Sequence, residues 1–349
     1  MFKKLIATLC ITICAGSAFA QGAPVPPEQS TQTRVTKNLN AADDTNYVSF
    51  SFENDSIGGG TDQAYTNGVR LTWFNASTPV PNMMDTLADA VPTFDINKTT
   101  SARYTFGQNM YTPEDITVRE LQEDDRPYAG WLYGSIGLVT ITDNHLDELD
   151  LTLGIVGPEA QAEVVQEFVH DLIDTRDPSG WDNQLDFEPG LILAWTRRWP
   201  AALEKTFDDY RVAVEPNINI SLGNIYTYAG TGATLTFGPY QGTLQDTPPR
   251  VAPSGPGTGY FETPDQGWSW YVFAGLDGRA IARNIFLDGN TFSDSHSVDK
   301  KYLVGDANVG AALTLGDYRL SYTLTGRTKE FDGQENETLF GSLTLTTRF

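Results

Sequence analysis

Leu343-Thr344-Leu345-Thr346-Thr347-Arg348-Phe349, the last seven residues, alternate apolar with polar side chains and stop on an aromatic ring. Period two marks a strand with one apolar face, because successive side chains point to opposite sides. The same period recurs in Tyr47-Val-Ser-Phe-Ser-Phe52, Val69-Arg-Leu-Thr-Trp73, Leu149-Asp-Leu-Thr-Leu153, Asn217-Ile-Asn-Ile-Ser-Leu222 and Thr234-Leu-Thr-Phe237. Small polar residues such as Ser, Thr, Asn and Gly suit the inside of a membrane barrel. A soluble sandwich alternates too, so the period alone leaves both architectures open.

Three observations select the barrel. Aromatics gather near strand ends, as in interfacial girdles: Trp73, Phe74, Trp131, Tyr133, Trp195, Trp199, Trp268, Trp270, Phe340 and Phe349. A terminal strand closing on Phe349 resembles the assembly signal of outer-membrane proteins. No apolar run beyond residue 20 is long enough for a transmembrane helix, which leaves the closed barrel as the spanning form.

Period-two segments predict about twelve strands, near 47–55, 64–76, 101–111, 129–142, 146–157, 185–198, 210–222, 227–238, 267–287, 298–315, 316–330 and 336–349. The expected fold is an all-β transmembrane antiparallel β-barrel over 46–349, with both termini periplasmic. Connections at 56–63, 112–128, 158–184, 240–266 and 288–297 are expected to face outward. Those at 77–100 and 199–209 are expected as periplasmic turns, the first long enough for a helical turn.

The start of the chain reads as an export signal. Met1-Phe-Lys-Lys4 is a positive n-region, Leu5–Gly16 an apolar core, and Ala18-Phe-Ala20 a small-x-small cleavage site before Gln21. Residues 21–45 are polar and rich in Pro, Thr and Asn, and read as a flexible N-terminal tail. Cys10 and Cys14, the only cysteines, fall inside the leader. The rest of the chain therefore has no disulfide, Cys nucleophile or Cys zinc site. Without Lys3 and Lys4, 21 basic residues face 45 acidic ones, a formal charge of −24. That balance excludes a basic nucleic-acid footprint. Toward an anionic lipid it calls for a bridging divalent cation.

One segment breaks the β pattern. Gly157-Pro158-Glu159 opens a helix that continues from Ala160 to Thr175 and ends at Pro178 and Gly180. Val165, Phe168, Val169 and Leu172 form its apolar face; Glu163, Gln166, Glu167, His170 and Asp174 form the polar one. Helix inside an extracellular barrel loop departs from the local rule, and such departures mark function.

No G-x-S-x-G elbow, H-E-x-x-H helix or P-loop occurs. Glu53-Asn54-Asp55 ends the first strand ahead of Gly58-Gly-Gly60, and reads as a turn or as oxygen donors for a hard cation. Gly68, within Tyr65-Thr-Asn-Gly-Val-Arg70, marks a hairpin turn, a bulge or a close backbone approach. Arg126, in Asp124-Asp-Arg-Pro127, pairs with the neighbouring aspartates or binds a phosphate. His170 lies one turn after Gln166, so the two form either a functional pair or a solvated helix surface. His145 and His296 read as incidental, and Asn183 and Gln184 as rim residues that cap a turn or orient a neighbour.

In order, Asn54-Asp55, Tyr65-Thr66-x-Gly68, Tyr111-x-Pro113, Asp125-Arg126, Val156-Gly157-Pro158, Gln166-x-x-x-His170 and Trp181-x-x-Gln184 resemble the outer-membrane lipid A deacylase family, whose members remove the acyloxyacyl group at the 3′ position of lipid A. The matches concentrate in 47–190; the remainder matches as barrel strands with a terminal aromatic. The resemblance implies a twelve-stranded barrel with its site at the outer rim, and ester hydrolysis by histidine-activated water with bound Ca²⁺. It makes His170 the general base and Gln166 its partner. Asn54 and Asp55 become metal-site residues, with Thr66 and Gly68 beside them. Two positions depart from the family pattern. Arg176 stands where the family has Glu six residues after the histidine, leaving Asp174 or Asp177 to take its place, and Val118, followed by Arg119, stands where a Lys is expected. The resemblance implies lipid A or lipopolysaccharide as substrate, outer-membrane lipids as surroundings, a bacterial outer-membrane location, no nucleic-acid partner and a monomer. A non-catalytic barrel (porin or structural protein) and a glycerophospholipid phospholipase are the alternatives.

Overall fold

A computed structural model describes residues 45–349 except 56, 59–63, 76–77, 92, 174–176, 201, 240–245, 249–256 and 265. The leader and nearly all of the expected N-terminal tail lie outside the described residues, as do Asp174 and Arg176. The strands are β1 (Asn46–Asn54), β2 (Ala64–Asn75), β3 (Ser101–Thr112), β4 (Ala129–Ile141), β5 (Leu146–Val156), β6 (Glu188–Arg198), β7 (Leu203–Phe207), β8 (Tyr210–Gly223), β9 (Tyr226–Pro239), β10 (Trp268–Asn284), β11 (Leu303–Leu315), β12 (Tyr318–Arg327) and β13 (Thr338–Arg348). All pairings are antiparallel; β1 pairs with β13 and β6 with β8, which closes a ring of twelve.

β7 stands outside the ring. It pairs with Tyr210–Val214 of β8, beyond Asn217, where β6 stops. The 199–209 connection is therefore a short hairpin rather than a plain turn. At 285–288 the expected strand gives way to a helical turn, because the Asn284 side chain accepts from the Phe286 amide and caps it. The expected start of the next strand at 298 is likewise replaced by a loop up to Leu303, with a single bridge from Lys300 to Phe331.

The terminal strand shows how the alternation is used. Ser342, Thr344 and Thr346 are buried inside the ring, while Leu339, Leu343 and Leu345 are exposed outside. The Thr344 hydroxyl donates to Ser51 Oγ at 2.9 Å on the inner face. Outward-facing Phe50, Leu71, Phe106 and Leu153 continue the apolar belt that a bilayer covers. Four of the expected girdle aromatics instead point inward and are buried: Phe74, Trp131, Tyr133 and Phe340. Alternation permits either face, and register decided against the girdle for these four.

The lumen is filled. Arg103 pairs with Glu148 at 2.6 Å and Asp150 at 2.8 Å, and Arg198 with Glu148, Glu215 and Asp246. Tyr260 and Phe261 pack on Tyr47 and Phe74. A cavity of about 110 Å³ persists beside Arg103, Asn109 and Tyr228.

Successive antiparallel strands end at alternate rims, so β9 delivers the 240–266 connection to the rim that holds Asn46 and Arg348. This corrects the expectation that it faces outward. Its Asp246 and Tyr260 turn back into the barrel. At the same rim, α1 (Asn82–Asp89) lies on the outer wall, where Met84, Ala88 and Phe94 bury against Ala102, Leu138 and Leu149. No helix among the described residues is long and apolar enough to cross a membrane.

Candidate functional site

The loop between β5 and β6, at the rim opposite the chain ends, carries α2 (Ala162–Ile173). It starts later than expected: Pro158–Ala160 forms a separate 3-10 turn, and Gln161 adopts a left-handed conformation, φ 57°, that interrupts the two. The helix sits on the outside of the wall. Outward-facing Gly130 of β4 has no side chain because a Cβ there would meet Ala162 Cβ at 2.6 Å. Outward-facing Met110 of β3 packs with Tyr128, Ala162, Val165 and Trp181. Gln108 Nε2 donates to the Ala160 carbonyl at 2.6 Å.

The faces of α2 match the expected ones in part: Val165 packs on the wall and Glu167 is exposed, but Gln166, His170 and Phe168 are turned the other way. Gln166 and His170, expected on a solvated polar face, are 2% and 4% exposed. Val164 and Phe168 are 56% and 67% exposed. The expectation assumed that polar residues look outward to water. The helix instead lies on a barrel wall, with its polar pair turned inward. The exposed-surface reading of His170 is excluded.

Strand register runs one row from the helix to the first strand. Gly130 faces Met110, Met110 faces Asn67, and Asn67 faces Asn54. All four lie on the outward side at the same rim. Asn54 ends β1, half-buried, and Asp55 follows it, fully buried. Between Tyr65 and Asn67 the β2–β3 register shifts, which makes Thr66 the extra residue of a bulge. The bulge therefore precedes Gly68 by two residues. Gly68 is a regular strand residue opposite Glu53 and Asn109, so the hairpin reading is excluded. Asn54, Asp55, Thr66 and Gly68 thus occupy neighbouring strand ends.

Gln166 is held in one orientation. Trp181 Nε1 donates to Gln166 Oε1 at 2.8 Å. This leaves Gln166 Nε2 as a buried donor with no hydrogen-bond partner among the described residues. Gln184 Oε1 is buried in the same state, while Asn183 caps by donating to the Arg119 and Gly180 carbonyls. Glu163, half-buried on α2, has its carboxyl pushed up by burial and by Glu167 and Asp182.

The loops above the barrel are clamped from afar. The Arg126 guanidinium pairs with Glu330 at 2.8 Å, while its backbone amide donates to Asp125 Oδ1 at 2.7 Å. His296 Nε2 meets the Asp125 carbonyl at 2.7 Å; His145, at the opposite rim, lies 3.4 Å from Asp147. Arg119 contacts Asp182 at 3.1 Å with both side chains exposed, an arrangement worth little.

Among the described residues no three His, Asp or Glu side chains gather as a metal site; the strand ends offer one carboxylate at Asp55, one amide at Asn54, and a bulge at Thr66 where the ladder is disrupted. Asp174, the remaining expected donor, lies outside the described residues. Sequence reading missed Trp181 as the anchor of Gln166, and Asn67 as the link between Asn54 and the helix. The strand alternation carried a signal for Asn67, since it shares Asn54's side once the two strands are in register.

A family model described as outer membrane protein LpxR matches residues 5–349. No curated protein matches by sequence. Among solved structures, LpxR from Salmonella typhimurium is similar at TM-score 0.70 and 20% identity, over 86% of this chain and 99% of that one. The β domain of the Bordetella autotransporter BrkA is at TM-score 0.40 and 9% identity, over 87% and 98%. The KdgM porin in complex with oligogalacturonate is at TM-score 0.35 and 7% identity, over 87% and 99%.

Proposed function

Because the chain belongs to the LpxR family of outer membrane proteins, and so resides in the bacterial outer membrane, we propose that it hydrolyses an acyl ester of lipid A at the outer rim of the barrel. The observation that carries this reading is the buried Gln166–His170 pair, turned toward the wall on which Asn54 sits. α2 starts over Gly130 and proceeds over Met110, crossing strands in the order β4, β3. Three strand spacings of about 4.8 Å separate Gly130 from Asn54. His170 lies eight residues beyond Ala162, about 12 Å of helix. The two lengths are comparable, which supports a shared site.

His170 takes a proton from a water held between helix and wall. The hydroxide attacks the ester carbonyl, and the tetrahedral intermediate collapses with loss of the alcohol, to which His170 returns the proton. Gln166, fixed by Trp181, offers Nε2 as a donor beside the base. Asp55, with Asn54 and backbone oxygens at Thr66 and Gly68, would hold Ca²⁺; Asp174 is the further candidate ligand. That ion would supply positive charge against a developing oxyanion. No covalent enzyme intermediate is needed, in keeping with the missing nucleophile motif. The filled lumen speaks against the porin alternative.

The test is mass spectrometry of lipid A from cells with the wild-type protein or His170→Ala. Wild type should remove an acyl chain. His170→Ala should cut the rate by about 10²–10⁴-fold, the usual worth of a positioned base, while the unboiled barrel still migrates faster than the boiled chain. A folded His170→Ala variant with full activity overturns the proposal.

A further inference from the structure

Helix α2 presents three sectors, since successive residues turn by about 100°. Gln166 and His170 occupy the buried one. Glu163, Glu167 and Asp171 follow as an acidic flank, the last two exposed. Val164 and Phe168 come next around the helix, an exposed apolar sector directed away from the buried pair.

The depth of the helix can be worked from the wall beneath it. Outward-facing Ala102 of β3 lies under α1, and Met110 of the same strand under α2. Eight residues of strand are about 27 Å long, or roughly 21 Å along the membrane normal at a tilt near 40°. The lipid-facing band of a barrel is about 25 Å tall. The two contact points therefore fall just inside opposite edges of the band, with exposed Phe106 between them.

We propose that α2 is an interfacial helix whose Val164–Phe168 flank is seated in the acyl chains of the outer leaflet, while Glu167 and Asp171 face headgroups and water. The occupant is lipid because the flank continues the apolar belt of Phe50, Leu71 and Phe106 on the same wall. An apolar flank in water would be a liability; in acyl chains it anchors the helix. Resting on the hydrolase reading above, this places the Gln166–His170 cleft at the level where chain meets headgroup, and makes Phe168 a docking residue for the substrate's chains.

Residues 21–349 contain no cysteine, so single spin labels report without background. Phe168→Cys and Val164→Cys, labelled in phosphatidylcholine vesicles, should be relaxed by oxygen and shielded from a water-soluble nickel chelate. Glu167→Cys should show the reverse, with an oxygen-to-nickel ratio several-fold lower. Equal accessibility at Phe168→Cys and Glu167→Cys overturns the inference. In a second arm, Phe168→Asp should raise KM several-fold for an ester in vesicles, and leave the rate on a water-soluble short-chain ester unchanged. An unchanged KM, or equal loss on both substrates in a folded barrel, overturns the docking role. If the parent protein hydrolyses neither ester, the hydrolase reading falls, and the labels still decide the position of the helix.

Discussion

Trp181→Phe removes one hydrogen bond and little else. The ring keeps its place against Tyr128, whose centroid is 5.0 Å away, and against Met110. The indole Nε1 donor to Gln166 Oε1 is lost between two side chains that are each 2% exposed. An acceptor left unpaired in such a place costs about 1–3 kcal/mol. The same bond sets which way the Gln166 amide faces, so its loss lets Oε1 and Nε2 exchange places. With a factor of ten per 1.4 kcal/mol or so, kcat should fall by about 5- to 150-fold at most. KM should stay close to wild type, because Trp181 is buried beneath α2, away from the exposed flank. Initial rates of fatty-acid release from lipid A in mixed micelles measure both constants. Gln166→Glu is the companion variant: its carboxylate still accepts from Trp181 but offers no Nε2 donor, so it should lose activity to a similar degree. Wild-type kcat in a folded Trp181→Phe protein would refute the positioning argument.

Three further outcomes are expected. A chelator should abolish hydrolysis and Ca²⁺ restore it better than Mg²⁺, because flexible oxygen donors suit calcium; Asp55→Ala should mimic the chelator in the same assay, and Asp174→Ala should too if Asp174 replaces the missing Glu. Gly130→Val should displace α2, since a Cβ would come within 2.6 Å of Ala162 Cβ; activity should drop while the heat-modified gel shift persists, and full activity would show that the helix need not rest on β4. Glu330 gives a pH effect: burial pushes its carboxyl up, but Arg327 and Arg126 outweigh this and hold it below its ordinary value. A depressed carboxylate stabilises above its unfolded pKa, about 4.3, and loses that contribution as pH falls through the folded value. Protection factors from hydrogen exchange over 112–128 and 328–337, corrected for the intrinsic rate at each pH, should therefore fall at acid pH, and Glu330→Gln should remove most of that pH dependence.

Twelve barrel strands, and nearly all their limits, were legible because alternation is local: each side chain records which face its residue takes. The helix, the pair Gln166–His170 and the strand-end residues Asn54 and Asp55 were legible too, as spacings and as a resemblance. The sequence placed Gln166 and His170 toward water with Glu163 and Glu167, and only the fold turned that pair to the wall. Periodicity separates a helix's faces but does not say which one meets a neighbour; that depended on Gly130 and Met110 leaving room on the outer wall. Asn67 lines up with Asn54 through register, and Arg126 reaches Glu330 across some two hundred residues, so neither relation exists in a linear reading. The 240–266 connection lies at the terminal rim because strand direction alternates around the ring, whatever its composition. Composition and period are properties of single residues and fixed the barrel; the proposed site joins groups on β1, β2 and α2, and the register of β1 to β4 lines them up.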